Sequence, residues 1–167
     1  MPTSNAVLLP SNVQPASYAI HLTPDLVAFT FTGEESVTIE VLESTNTIVM
    51  NASELQVSEA TFTPANGPAT AASDIAMDTD KEMLTLTFPS ALLAGEGTLH
   101  IVFTGEMNDR LTGFYRSQYT DSAGQSHTMA TTQFEPSSAR RSFPCWDEPA
   151  LKATFQLTLT IPSNMDA

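Results

Sequence analysis

The chain has 167 residues, of which 41% are hydrophobic and only 15% are charged, and this length is sufficient for one domain with a substantial hydrophobic core. The formal net charge is −13 at pH 7, and five of the six basic residues lie between Arg110 and Lys152. Such an acidic chain is not expected to bind nucleic acid or a membrane surface. Its longest apolar run is far shorter than the ~20 residues of a membrane-spanning helix.

Alternation of apolar and polar residues with period two predicts β-strands along most of the chain. Residues 18–23 form the first such stretch, and residues 29–31 and 37–41 suggest a hairpin that turns at Gly33 and Glu34. A loop rich in Pro, Gly and Ala is expected at 64–74. The other predicted strands are 47–50, 55–62, 84–88, 99–104 and 155–161.

No window of helical length shows an apolar stripe at helical spacing, and residues 89–94 could form at most about one helical turn. The fold class expected is therefore all-β. We expect an antiparallel, sandwich-like domain with a large curved, saddle-like sheet and smaller sheets packed on it. Residues 1–167 are expected to form this single domain.

The single cysteine cannot form a disulfide within the chain, and the first ten residues contain neither a basic leader nor a long apolar run. These features favour a cytoplasmic setting. The three histidines are scattered and no H-E-x-x-H sequence occurs, so neither a metal site nor a catalytic residue is expected in this chain.

Residues 132–149, TQFEPSSARRSFPCWDEP, combine the only Arg pair, the only Cys, the only Trp and three carboxylates. Neither helical nor strand periodicity runs through this stretch, which predicts an ordered irregular loop, and such loops often carry function. Without other information, Glu135 would be interpreted as a loop-capping or Arg-paired carboxylate, and Cys145 as a buried core residue.

TQFEP, ARR and FPCWDEP at this spacing resemble the amino-terminal domain of zinc aminopeptidases related to aminopeptidase N and puromycin-sensitive aminopeptidase. FTGEMNDRLTGFYRSQY and KATFQLTLTIPSN are similar to the same family, and the resemblance extends from Leu8 to Asn164. It implies a parent enzyme that removes amino-terminal residues from peptides. The zinc and the catalytic domain would lie outside this chain, which is expected to be truncated near its C-terminal end and inactive alone.

The resemblance assigns Glu135 to the substrate's α-ammonium group and Gln133 to the pocket for the first substrate side chain. A carboxylate on a rigid loop can form charge-assisted hydrogen bonds with a free amine, which an internal amide cannot reciprocate. Peptides with a free amino terminus and the parent's own catalytic domain are the implied partners.

The other distinctive side chains of this loop are interpreted as scaffold. The two guanidinium groups and two carboxylates could tie the loop together by bidentate pairs, while the ring side chains and the thiol pack it onto the sheet. The residues assigned to these roles are Arg140, Arg141, Pro144, Cys145, Trp146, Asp147, Glu148 and Pro149.

An exposed edge at the last strand could cause self-association. The alternative function is a non-enzymatic β-sandwich module for interaction or structure, which would explain the strands and the acidic surface. It would not explain the sequence of residues 132–149.

Overall fold

The computed structural model describes residues 8–163, 165 and 167. Most of the first ten residues, where the sequence shows no basic leader, therefore lie outside the described part. Eleven β-strands and one short 3₁₀ helix, Ala139–Arg141, follow one another in this part of the chain. The strands are β1 (Val13–Asp25), β2 (Thr30–Val41), β3 (Thr45–Asn51), β4 (Leu55–Pro64), β5 (Thr70–Ala71), β6 (Asp74–Asp78), β7 (Met83–Leu92), β8 (Gly95–Glu106), β9 (Gly113–Thr120), β10 (Ser126–Gln133) and β11 (Thr154–Leu159).

The strands form one large sheet and two small ones, which confirms the all-β prediction. The six-stranded sheet has the order β11-β1-β2-β8-β4-β5, the three-stranded sheet has the order β3-β7-β6, and β9 pairs with β10 alone. The large sheet is mixed, because β11 runs parallel to β1 whereas β1, β2, β8, β4 and β5 pair antiparallel.

The hydrophobic core lies between the large sheet and the three-stranded sheet. Period-two alternation directs one face of each long strand inward, where apolar side chains leave water. On the large sheet the inward side chains include Tyr18, Ile20, Leu22, Val37, Ile39, Leu99, Ile101 and Phe103, and on the small sheet Ile48, Met50, Leu84, Leu86 and Phe88.

The predicted turn at Gly33 and Glu34 is wrong, because β2 runs through both residues as one strand of 12 residues. Gly33 pairs with Phe103 on β8, and the Phe103 ring occupies the space that a side chain at position 33 would need. Gly105 lies under the Phe31 ring in the same way. Glycine at these positions therefore allows close aromatic packing within the sheet rather than a turn.

Two other local predictions differ from the structure. Residues 89–94, which the sequence allowed at most about one helical turn, instead continue strand β7 as far as Leu92. The predicted loop at 64–74 contains the two-residue strand β5. The β9–β10 hairpin was not predicted, because its residues are partly or fully exposed over most of its length and so lack a clear inward and outward face.

One carboxyl group lies inside the core. Glu35 occupies an inward position of β2 opposite Ile20 and Ile101, and only 1% of its surface is exposed. Neither carboxyl oxygen has a hydrogen-bond partner among the described residues. Burial raises the pKa of Glu35 well above its usual value, because a carboxylate loses its hydration there. Its negative charge would also raise the pKa values of Tyr18 and Cys145, both of which are already raised mainly by their own burial.

This burial makes stability depend on pH. Because the folded state holds the Glu35 proton more tightly than the unfolded chain, this group favours folding most at low pH. Its contribution is lost as the pH rises from about 4.3, the ordinary pKa of Glu, towards the folded pKa. The substitution Glu35→Gln removes the titration. As the pH rises, we expect the unfolding free energy of the variant to increase relative to that of the unsubstituted chain, by up to about 1.4 kcal/mol per pH unit.

The measurement is urea denaturation of both chains at several pH values between about 5 and 8, a range above the ordinary Glu pKa. Glu40→Gln is the matched control, because Glu40 is an exposed residue on the same strand. A difference between Glu35→Gln and the unsubstituted chain that stays constant across this range would contradict the prediction.

Candidate functional site

Residues 132–149 run from the end of β10, through the 3₁₀ helix, towards β11, and backbone bonds attach this segment to the end of β3. The Asn51 N–H donates to the Cys145 carbonyl at 2.7 Å, and the Cys145 N–H donates to the Asn51 carbonyl at 2.9 Å. The Ser53 N–H donates to the Arg140 carbonyl at 2.9 Å. Irregular backbone can be partly buried here because the end of a strand supplies its hydrogen-bond partners.

Side chains of the segment also enter the core. Phe143, Pro144, Cys145 and Trp146 are buried, and the backbone N–H of Trp146 donates to the Tyr18 hydroxyl at 3.2 Å. The indole N–H of Trp146 has no hydrogen-bond partner among the described residues. Burial raises the pKa of the Cys145 thiol well above its usual value, so the thiol stays protonated and unreactive.

Both arginines of the pair form salt bridges with carboxylates outside the segment. Arg141 bonds to Glu54 at 2.6 Å and to Glu82 at 2.7 Å. Arg140 bonds to Glu82 at 3.3 Å and, within the segment, to Asp147 at 2.9 Å. The side chains of Arg140 and Asp147 are 14% and 18% exposed, so solvent screens this pair less than a surface pair.

A third arginine extends this set of charges. Arg110, in the β8–β9 connection, bonds to Glu54. Burial alone would raise the pKa of Glu54, but hydrogen bonds from Arg110 and Arg141 outweigh it and lower the pKa. We call the six side chains together the Arg–carboxylate network: Arg110, Arg140, Arg141, Glu54, Glu82 and Asp147.

Two residues of the network stand in an unusual backbone conformation. Glu54, after β3, and Glu82, before β7, have φ values of 58° and 53°. A non-glycine residue in this left-handed region costs energy, so other contacts must stabilise it. The Glu82 carboxylate accepts hydrogen bonds from the Ser53 hydroxyl at 2.9 Å and from both Arg140 and Arg141. The network thus connects both turns to the 3₁₀ helix.

Glu135 lies in a tight turn at the base of the β9–β10 hairpin. The Ser138 N–H donates to the Phe134 carbonyl at 2.6 Å and closes this turn. The Phe134 ring packs edge-on against buried Phe143, with ring centroids 5.9 Å apart. The Glu135 side chain is exposed, and its carboxylate forms no hydrogen bond or salt bridge with the residues that the structure describes.

An open pocket of about 380 Å³ lies beside Glu135. Glu135 and Pro136 form part of its lining, with aromatic walls from Tyr18, Phe143 and Phe155. A carboxylate next to aromatic faces can hold an ammonium group by a charge-assisted hydrogen bond and by cation–π attraction.

Gln133 does not line this pocket. It is the last residue of β10 and is exposed, and its side-chain amide donates to the Glu135 carbonyl at 3.5 Å. The structure therefore brings the Gln133 side chain to the backbone of Glu135.

Two residues assigned to the scaffold have surroundings other than those expected. The Glu148 carboxylate accepts a hydrogen bond from the Leu9 N–H at 2.7 Å, whereas the sequence analysis expected an Arg partner. Pro149 is exposed and borders the pocket beside Glu135. Sequence reasoning missed Glu54, Glu82 and Arg110 as partners, because they are distant in sequence and no pattern marks a left-handed Glu.

The described residues contain no group of three or more His, Cys, Asp and Glu side chains arranged to hold a metal ion. In the same part of the chain, no helix has the length and apolarity needed to cross a membrane.

Comparison with known proteins identifies the family. Residues 14–167 match the Peptidase M1 N-terminal domain. The chain is 44% identical to Aminopeptidase M1 of Arabidopsis thaliana over 162 residues, which is 95% of this chain and 18% of the relative. It is 35% identical to Puromycin-sensitive aminopeptidase of Caenorhabditis elegans over 159 residues, or 95% of this chain and 17% of that protein.

A third relative is Alanine/arginine aminopeptidase of Saccharomyces cerevisiae, 39% identical over an alignment that covers 95% of this chain and 19% of that protein. The chain belongs to the Peptidase M1 N-terminal domain family, as the sequence resemblance predicts. It spans less than a fifth of the length of these three relatives.

The Arg–carboxylate network leads to a prediction about Glu82. Glu82→Gln keeps the side-chain size and the cost of a positive φ, but removes the charge that Arg140 and Arg141 share. Because hydrogen bonds to charged groups contribute about 1.5–3 kcal/mol, we expect the unfolding free energy to fall by an amount of that order. Trypsin should cleave faster after Arg140 and Arg141, since the 3₁₀ helix is released more often.

Asp78→Asn is the matched control for Glu82→Gln, because it breaks an exposed ion pair with Lys81 in the same β6–β7 turn. Solvent screens such an exposed pair, so its loss should lower the unfolding free energy less than Glu82→Gln does. Equal unfolding free energies for the two variants, with unchanged trypsin cleavage after Arg140 and Arg141, would show that the network does not stabilise the segment.

Proposed function

We propose that this chain is the amino-terminal β-domain of a zinc-dependent aminopeptidase, in which Glu135 binds the α-ammonium group of the peptide substrate. The observation that carries the proposal is the exposed carboxylate of Glu135, without a partner among the described residues, on a turn that is attached to the core. Family membership and relatives named aminopeptidases support the reaction class.

The surroundings of Glu135 suit a binding group better than a stabilising one. A structural carboxylate usually has a partner, as Glu54 and Glu82 do in this chain. An unpaired one keeps its hydrogen-bonding capacity for a ligand. The turn itself has little freedom, because Phe134 packs on Phe143 and the network holds the adjoining 3₁₀ helix. A carboxylate fixed before binding loses less entropy when the ligand arrives.

Glu135 would select the amino terminus and would leave bond cleavage to other groups. A free α-ammonium group offers a positive charge and N–H donors to the carboxylate, whereas an internal peptide amide offers no charge. Binding of the amino terminus at Glu135 would therefore fix where the first peptide bond lies relative to the catalytic groups. The net charge of −13 mildly favours the approach of cationic peptide ends.

Gln133 would contribute to the pocket for the first substrate side chain (S1). It is exposed on β10 and contacts the Glu135 backbone, so a side chain next to the bound amine would pass close to it. Its neutral amide supplies contact and hydrogen bonding rather than charge.

Zinc and the catalytic residues would belong to a further part of the polypeptide. The described residues do not fit a zinc site, since they include no suitable group of ligands. The partner of this domain would be that catalytic part, with Glu135 directed towards its active site. We place the enzyme in the cytoplasm, a setting consistent with one buried, unpaired cysteine.

Glu135 can be tested in a chimera in which this chain replaces the matching segment of Aminopeptidase M1 from Arabidopsis thaliana. Glu135→Ala removes a charge-assisted hydrogen bond of about 1.5–3 kcal/mol, so kcat/KM for free-amine substrates should fall roughly 10- to 100-fold. Glu135→Gln should be nearly as impaired if the charge dominates, and partly active if hydrogen bonding suffices. Activity on amine-capped peptides should not change.

Glu106→Gln is the control variant, since it removes an exposed charge from β8. Zinc content and thermal unfolding must match between variants, so that the comparison reports on binding alone. Unchanged kcat/KM for free-amine substrates in Glu135→Ala would refute the proposed role. If the unsubstituted chimera folds and binds zinc but has no activity, an interaction or structural module becomes the better account.

The isolated chain should not cleave aminoacyl substrates or bind zinc tightly. The reason is that its three histidines are scattered and the proposed catalytic part is not included. A fluorogenic aminopeptidase assay and metal analysis of the purified chain check this. Turnover that co-purifies with the chain through successive columns, or one tightly bound zinc per chain, would contradict the prediction.

A further inference from the structure

We propose that the pocket beside Glu135 holds both charged ends of a very short peptide, with the amino end at Glu135 and the free carboxylate at Lys152. This inference rests on the proposed role of Glu135 as the group that binds the substrate amine. It names a substrate class that the same pocket would favour, peptides of two residues with a free carboxylate. It depends on which charges and hydrogen-bond donors line the pocket, and on which of them have partners.

Lys152 supplies a positive charge to this pocket. It lies just before β11, is exposed, and lines the same cavity of about 380 Å³ as Glu135. Of the six Lys and Arg residues, all of which the structure describes, Lys152 is the one that forms no salt bridge with a described residue. The pocket therefore offers a ligand one carboxylate and one ammonium group.

The two other carboxylates of the pocket lining are already engaged. Asp147 forms its salt bridge with Arg140 at 2.9 Å, and both side chains are mostly buried. The Glu148 carboxylate accepts the hydrogen bond from the Leu9 N–H at 2.7 Å. Because these groups have their own partners, Lys152 is the cation that a carboxylate entering the pocket would meet.

Two residues that line the pocket also carry buried donors without acceptors. The Tyr18 hydroxyl accepts the backbone N–H of Trp146 at 3.2 Å, but its own proton has no acceptor among the described residues. Burial raises the pKa of Tyr18, so the hydroxyl keeps this proton. The indole N–H of Trp146 has no described partner either. An unpaired buried donor costs free energy, and a ligand oxygen that accepts from it removes this cost.

The size of the pocket limits the length of the ligand. About 380 Å³ is near the lower end of the range of ligand pockets, roughly 300–1,000 Å³. The ammonium group of a dipeptide can bind at Glu135 while its carboxylate binds at Lys152, both by charge-assisted hydrogen bonds. In a longer peptide the carboxylate lies outside the pocket, where Lys152 gives no advantage.

The overall charge of the chain makes the position of Lys152 significant. A net charge of −13 attracts the amine of a short peptide but repels its free carboxylate. Lys152 offsets this repulsion inside the pocket. It is therefore a specificity-determining residue, which distinguishes peptides by whether a carboxylate follows closely after the first residue.

Three substrates of the chimera described above test this inference. They are the dipeptide Phe-Gly, its carboxyl-terminal amide, and a pentapeptide of Phe followed by four glycines. All three share the free amine and the first peptide bond, and the aromatic first residue suits the walls of the pocket. Lys152→Gln should raise KM for Phe-Gly about 3- to 10-fold, the effect of one lost hydrogen bond near the surface. It should leave KM for the amide and the pentapeptide unchanged.

Two further variants make the comparison specific. Lys152→Arg keeps the charge and should retain most of the affinity for Phe-Gly. Lys81→Gln is the matched control, because it removes the same charge from an exposed turn that does not line the pocket. It should leave all three KM values unchanged.

The inference and the proposed function fail in different ways. Glu135→Ala should impair all three substrates, since each presents a free amine. If Glu135→Ala does so but Lys152→Gln affects the three substrates equally or not at all, the role of Lys152 is overturned and that of Glu135 stands. If Glu135→Ala impairs none of them, the proposed function fails and the inference fails with it.

Discussion

The position of residues 132–149 depends on the Arg–carboxylate network. Three guanidinium groups and three carboxylates neutralise one another where the ends of two strands, a loop and the 3₁₀ helix meet. Each arginine of the pair bridges two carboxylates, and Glu82 bonds to both arginines. Partial burial strengthens these attractions, but it also means that loss of one member leaves its partner charge poorly solvated. The network is therefore expected to respond cooperatively to substitution.

This arrangement separates stability from recognition. The side chains that hold the segment are paired or buried, whereas Glu135 is exposed and has no partner among the described residues. A carboxylate that binds a ligand must be exposed and free of internal partners, and a rigid attachment of its loop holds that carboxylate in a fixed position. Glu35 is a different case, because it is a buried carboxyl group in an apolar layer with no described partner. The cost of burying this group should appear as pH-dependent stability.

Periodicity predicted most of the fold, since alternating residues such as Tyr18, Ile20 and Leu22 identify inward positions regardless of distant contacts. Periodicity failed where tertiary packing determines the local structure. Gly33 resembles a turn residue in the sequence, but in the fold the Phe103 ring occupies the space that a side chain at position 33 would need. The parallel pairing of β11 with β1 depends on contacts between the two ends of the chain, which periodicity does not record. Likewise, the sequence identified the unusual segment, but the partners Glu54 and Glu82 became evident only in three dimensions. The roles of Glu135 and Gln133 remain predictions.

The central claim, that Glu135 binds the amine of a substrate, is tested most directly by a crystal structure of the active chimera with a non-hydrolysable free-amine substrate analogue. We expect a Glu135 carboxylate oxygen at hydrogen-bond distance from the analogue's α-nitrogen, about 2.7–2.9 Å. The turn around Phe134 should be unchanged from its geometry in the isolated chain. An α-nitrogen held by other groups, with the Glu135 carboxylate directed away from the analogue, would contradict the account.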